Sequence, residues 1–169
     1  MANTQSMVTG FMGKLMTGTH NFGVGVVRAG TGADTYYGAL LLASGTFNAS
    51  SSDYTGTIGA TAMAGEVSGT GYTPGGVAIT NANPPTATNS SATAGVAFWT
   101  PSASITYTTV TLATAFDAVM IYNSTQGTGG AYPAVSIHTF GSQTITAGTF
   151  TLTMPTNNTT NALIRLATT

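Results

Sequence analysis

The sequence predicts an all-β fold: an antiparallel β-sandwich, jelly-roll-like, with an N-terminal arm. Three observations predict it. Short runs of apolar and β-branched residues recur at spacings of about ten residues, the rhythm of a sandwich or barrel. No segment keeps a 3.6-residue apolar period for three turns, and threonine, glycine, serine and valine are indifferent or poor helix formers. The stretches between the runs are rich in glycine, asparagine, serine and proline, which punctuate the chain as turns.

Residues 1–19 do not alternate and are expected to form the arm, with residues 20–169 as one domain. The first core strand is "TYYGALLLA" at 35–43. "GGVAIT" (75–80) and "GVAFWT" (95–100) read as strands flanking a loop. "SITYTTVTLA" (104–113) alternates at Ile105 and Tyr107, then resumes out of phase at Val110 and Leu112. That slip predicts a β-bulge at Thr108 and Thr109. "DAVMIYN" (117–123) is apolar on both faces, as a central strand must be. "AVSIHTF" (134–140), "SQTITA" (142–147), "TFTLTMP" (149–155) and "NALIRLA" (161–167) complete the set. In "TFTLTMP", Phe150, Leu152 and Met154 face one way and Thr149, Thr151 and Thr153 the other, the pattern of a half-buried strand. Segments 48–57, 81–91 and 124–133 read as loops.

Composition narrows function. Charged residues make up 4% of the 169-residue chain, against about 25% in a typical soluble domain. The net charge of −1 supplies no basic surface to neutralise phosphates, so nucleic acid is not an expected partner. With 35 threonines and 13 serines, the expected surface is hydrated by hydroxyls but not self-repelling, which suits a fixed assembly. There is no cysteine for disulfides or thiolate metal sites. No apolar run approaches the ~20 residues that span a bilayer, and the N-terminus lacks a signal-peptide pattern. No membrane partner is expected, and synthesis in a host cytoplasm is.

Catalytic and metal-binding patterns are absent from the sequence. His20 and His138 are the only histidines, and no GxSxG elbow accompanies them. His138 lies within a predicted strand, where a structural role fits best. Asp34, Asp53 and Asp117 sit at turns or strand openings, where aspartate bonds nearby backbone amides. "GFMGK" (10–14) and "GVGVVR" (23–28) fall short of phosphate-binding fingerprints, and no metal-ligand spacing occurs. The sequence therefore predicts no enzyme, no cofactor and no metal. Tyr36, Tyr37, Tyr54, Tyr72, Trp99 and Tyr132 are candidates for an exposed sugar-binding platform.

One loop stands out. "EVSGTGYTPGG" (66–76) holds the only glutamate, set among four glycines. Gly69, Gly71, Gly75 and Gly76 permit positive φ, and Pro74-Gly75 makes a tight turn. Tyr72 is expected to pack beneath it, and Glu66 to accept backbone N–H groups across it. The expectation is a structural turn, not an active site.

This loop, followed by "VAIT", resembles a pattern in a family of small tailed-bacteriophage virion proteins carrying an "NEVSGTGYTAGG"-like loop. "HNF" at 20–22, "ALLL" at 39–42 and "IYN" at 121–123 match the family's other elements in order. The resemblance covers residues 20 to about 154. Here Gly65 stands where the family has asparagine, and "HTFG" (138–141) where it often has Asp-Phe-Gly.

The resemblance implies a structural role, as a capsid decoration (cement) protein on the outer surface of the virion. Its expected partners are the major capsid protein and further copies of itself, a trimer being favoured. Phe11, Met12, Lys14, Leu15 and Met16 of the arm are the expected contacts: adaptable apolar groups and one charge for an acidic partner. The alternative for this segment is an edge strand capping the protein's own core. The alternative function is a tail, fibre or adhesion module that binds host-surface carbohydrate.

Overall fold

The computed structural model describes residues 2–16, 18–22, 33–80, 83–90 and 93–167. Its centre is a long hairpin, β7 (Ile105–Asn123) paired antiparallel with β8 (Tyr132–Leu152). On the other side of β7 lies β2 (Tyr36–Leu42), in register from Tyr36 opposite Asn123 to Leu42 opposite Phe116. β4 (Val77–Ala78) extends β2, while β1 (Ser6–Met7) and β3 (Asp53–Tyr54) pair with the start of β8. This six-stranded sheet faces a second, three-stranded one, formed by β5 (Thr86–Ser90), β6 (Thr93–Trp99) and β9 (Ile164–Ala167) in the order β5-β6-β9. One helix, α1 (Thr9–Met16), accompanies them.

The expected all-β class holds, with antiparallel sheets in a sandwich-like arrangement. The strand order does not establish the jelly-roll connectivity expected of it. "DAVMIYN" is central as anticipated, with its last six residues buried and neighbours on both edges. The predicted bulge is present: the β7–β8 register shifts between Tyr107 and Val110, and Thr109 adopts φ 54°. "TFTLTMP" alternates as expected, with Phe150, Leu152 and Met154 half-buried and the intervening threonines exposed.

Five predicted strands, however, merge into two. The chain passes through "ATAF" and "GS" by shifting register at Leu112/Phe116 and Phe116/Ala118 instead of turning. β5 lies inside a stretch expected to be loop, and β3 inside another.

The aromatic core joins the sheets. Phe22 stacks on Tyr36 with ring centroids 4.5 Å apart and planes 7° apart, and meets Trp99 of β6 at 4.6 Å. Phe11 of α1 closes on Phe22 at 5.9 Å in an edge-to-face contact. Offset and edge-to-face pairs of this kind add about 0.5–1.5 kcal/mol beyond their area burial.

The N-terminal segment is accordingly not an arm outside the core. Val8 and Phe11 are fully buried, β1 adds to the edge of β8, and Asn3 bonds Leu42 O (3.1 Å) and Asp117 Oδ1 (2.6 Å). Val8, Phe11 and Leu15 fall at i, i+3 and i+7, one face of a two-turn helix too short to register as a periodicity. The segment caps the protein's own core, but through a helix and the two-residue β1, not as the edge strand that was the alternative drawn from the sequence. Phe11→Ala should therefore destabilise the fold by about 3–5 kcal/mol in urea unfolding; a free arm would leave the midpoint unchanged.

Candidate functional site

The glycine-rich loop closes on Glu66, which is buried at 5% exposure despite being a carboxylate. Four donors meet it. Oε1 accepts from Tyr72 OH (2.7 Å) and from the Gly75 N–H (2.7 Å). Oε2 accepts from Tyr54 OH (2.7 Å) and from the Met63 N–H (2.9 Å). A buried carboxylate is tolerated only when its lone pairs are satisfied in this way, and charge-assisted bonds are the strong ones.

The network runs outward from there. Tyr72 OH accepts the Leu40 N–H (3.0 Å), Tyr122 OH donates to Gly75 O (2.8 Å), and Tyr107 OH donates to Gly38 O (2.7 Å). Tyr54 stacks on Tyr122 at 4.4 Å and 8°. The loop is thus tied to β2, β3 and β7 at once.

The glycines serve the same approach. Gly76 has φ 77°, and a Cβ there would overlap the Gly38 carbonyl of β2. Gly71 also has φ 77°, and its Cβ would overlap the Thr109 carbonyl at the β7 bulge. Gly69 and Thr70 lie against Thr111, with a bridge between the two threonines. Pro74 accepts the Gly59 N–H through its carbonyl (2.8 Å). The loop turns the chain, and Glu66 accepts the backbone amides of Met63 and Gly75 across it. The sequence placed Tyr72 beneath the loop but did not disclose Tyr54, Tyr107 and Tyr122, because they come from separate stretches of the chain.

Burial, reinforced by Glu66, raises the hydroxyl pKa of Tyr54, Tyr72 and Tyr107 above the usual tyrosine value. Tyr122 is raised by burial first and then by Tyr54 and Glu66. All four stay protonated as donors at neutral pH.

The remaining candidates are also structural. Asp34 accepts from the Asn21 N–H (2.7 Å), Asn123 Nδ2 (2.7 Å) and Gln126 Nε2 (3.1 Å). His20 Nδ1 lies 3.2 Å from Asn123 Nδ2 in the same buried cluster, packed on Phe11 at 5.0 Å. His138 Nε2 lies 2.8 Å from Ser136 Oγ, and burial lowers its pKa to about 4. No carboxylate hydrogen-bonds His138 among the described residues, so the Ser–His pair lacks the group that would orient it as a base. Among the described residues no three His, Asp or Glu side chains could hold a metal ion.

The expected contact residues separate. Phe11 is fully buried and Lys14 Nζ is bound to Asp53 Oδ1 at 3.1 Å, so neither is presented to a partner as expected. Met12 is 50% and Met16 90% exposed, and Leu15 is partly buried against the core. Leu15 also lines an apolar cleft of about 100 Å³ between α1 and the small sheet, with Phe11, Phe22, Phe98, Trp99 and Leu166. Leu166 is 40% exposed. Met12, Met16 and Leu166 are the exposed large hydrophobic residues among those described.

Of the candidate sugar platform, Tyr36, Tyr54, Tyr72 and Trp99 are buried, leaving Tyr37 and Tyr132 half-exposed. No family model, curated protein or solved structure matches the chain.

Two outcomes follow from the carboxylate network. Glu66→Gln should cost roughly 2 kcal/mol or more, because the amide sets a donor against two donors; equal urea midpoints for variant and parent would refute the lock. The raised tyrosine pKa values mean the folded state holds these protons more tightly than the unfolded one. Their stabilisation is complete below the ordinary value of 10.0 and is lost as pH rises above it. Phenolate absorbance should accordingly show these tyrosines ionising only with alkaline unfolding, not as independent surface groups.

Proposed function

We propose that the protein is a structural, non-catalytic virion component: a capsid decoration (cement) protein. It binds the major capsid protein on the outer surface of the shell and stabilises it. The observation that carries this reading is the exposure of Met12 and Met16, one turn apart on α1, and of Leu166, which lines the cleft beside α1. Large side chains left in water on an otherwise hydroxyl-covered chain mark a contact surface, and methionine adapts to an irregular partner.

Charge usage supports the same reading. Lys14 and Asp53 pair with each other, Asp34 and Glu66 are buried, Asp117 accepts from Asn3, and Arg165 Nε donates to Thr159 O. The seventh charged residue, Arg28, lies outside the described residues. A surface with little charge left over favours stable association over free diffusion. The resemblance of the 66–76 loop to that of small tailed-phage virion proteins gives the partner its class. The carbohydrate-binding alternative is less well supported, since four of its six aromatic candidates are buried.

The test is co-sedimentation of the purified protein with capsids lacking it, followed by heat release of packaged DNA. Saturable binding and delayed release are expected. The pair Met12→Asp and Met16→Asp should abolish binding while leaving the urea midpoint unchanged, both side chains being exposed. Absence of binding by the parent protein would overturn the reading and turn attention to a glycan screen.

A further inference from the structure

We propose that the outer edge of β8 over residues 140–152 is a self-association site, pairing antiparallel with the same edge of a second copy across a twofold axis. One edge of β8 is paired with β7 along its length; the opposite edge is covered by β3 at Tyr132 and Pro133 and by β1 at Ser136 and Ile137. Beyond Thr139, whose hydroxyl reaches Gln5, no strand among the described residues pairs with that side. Its backbone N–H and C=O groups then face water, a template for another strand.

The other edges of this sheet are handled differently. β1, β3 and β4 are two residues long, too short to template pairing. The β8 edge reads FGSQTITAGTFTL, with no lysine, no proline and no inward-pointing charge, the devices that blunt an edge. Two irregularities interrupt it: the register shift opposite Phe116/Ala118, which puts extra residues into β8 between Thr139 and Gln143, and Ala147 at φ 48°, whose N–H turns inward to Thr111 Oγ1 at 3.1 Å. Between and beyond them 143–146 and 148–152 remain as strand runs, within the usual strand length of about 3–10 residues.

The occupant is a second copy because of charge and symmetry. Antiparallel self-pairing sets this segment against itself, and with no charged residue in it no like charges meet. Exposed Thr144 and Thr146 lie on one face, where cross-strand threonine pairs contribute about 0.2–1 kcal/mol each. A twofold contact uses the same patch on both partners and closes on itself. This contact gives a dimer, whereas the trimer expected from the sequence needs a different, cyclic interface. The inference does not depend on the capsid reading, since it is tested on the protein alone.

Sedimentation velocity of the full chain should give the dimer mass. Thr144→Lys and Ser142→Lys, each at an exposed position on the edge, should each shift the protein to monomer with an unchanged far-UV spectrum. As a second measurement, single cysteines introduced in turn at Ser142, Thr144 and Thr146 into this cysteine-free chain should yield a cross-linked dimer for the position nearest the axis. A monomeric or trimeric parent, a dimer that persists in both lysine variants, or no cross-link at any position would each overturn the proposal.

Discussion

The Glu66 carboxylate is the constraint from which the rest of the structure is organised. It is buried, and four donors within 2.9 Å make that burial tolerable. Two of those donors are tyrosine hydroxyls from β3 and from the loop itself; two are main-chain amides at Met63 and Gly75. Removing a carboxylate from water costs several kcal/mol unless each lone pair is met, so the loop cannot shift without exposing that cost. Tyr72, held by Glu66, in turn receives the Leu40 amide of β2. One side chain thereby fixes the loop's path, the edge of β2 and the position of β3.

The glycines make this fixation possible at close range. Gly76 and Gly71 sit where a side chain would strike the carbonyls of β2 and β7, and both have positive φ. The carboxylate supplies attraction and the glycines remove the steric barrier to it. A phosphate cradle or catalytic loop also uses glycine beside an acid, but it leaves polar groups pointing into open space. Here the carboxylate is saturated by the protein's own donors, and the tyrosines that saturate it are held protonated by burial.

How much of this was legible depends on whether the signal was local. The turn at 66–76, the bulge at Thr109 and the central strand at 117–123 could be read because each is written in adjacent residues: glycine and proline, a break in alternation, apolar side chains on both faces. The breaks expected between 113 and 117 and at 141–142 could not be read correctly. Alanine, glycine and serine there look like turn residues, but β7 and β8 hold each other through register shifts. β5 escaped notice because its face is threonine and alanine, with no apolar alternation to separate it from loop. The contact residues on α1 were half legible. Met12 and Met16 are exposed, whereas Phe11 and Lys14 were claimed by partners far away in sequence, Phe22 and Asp53.

The same economy of charge that obscured those partners explains the surface. With one glutamate, three aspartates, one lysine and two arginines, every charged side chain among the described residues takes part in an internal hydrogen bond or ion pair. Solubility and partner choice then fall to hydroxyls and to a few exposed apolar groups. Hydroxyl-rich strands have no electrostatic means of refusing one another, so an open edge on such a chain pairs unless geometry prevents it. The large sheet prevents it at β1, β3 and β4 by brevity, and among the described residues no strand pairs with the outer side of β8 along its distal half. Interior needs consumed the charge, and the association proposed at the surface is the consequence expected of that economy.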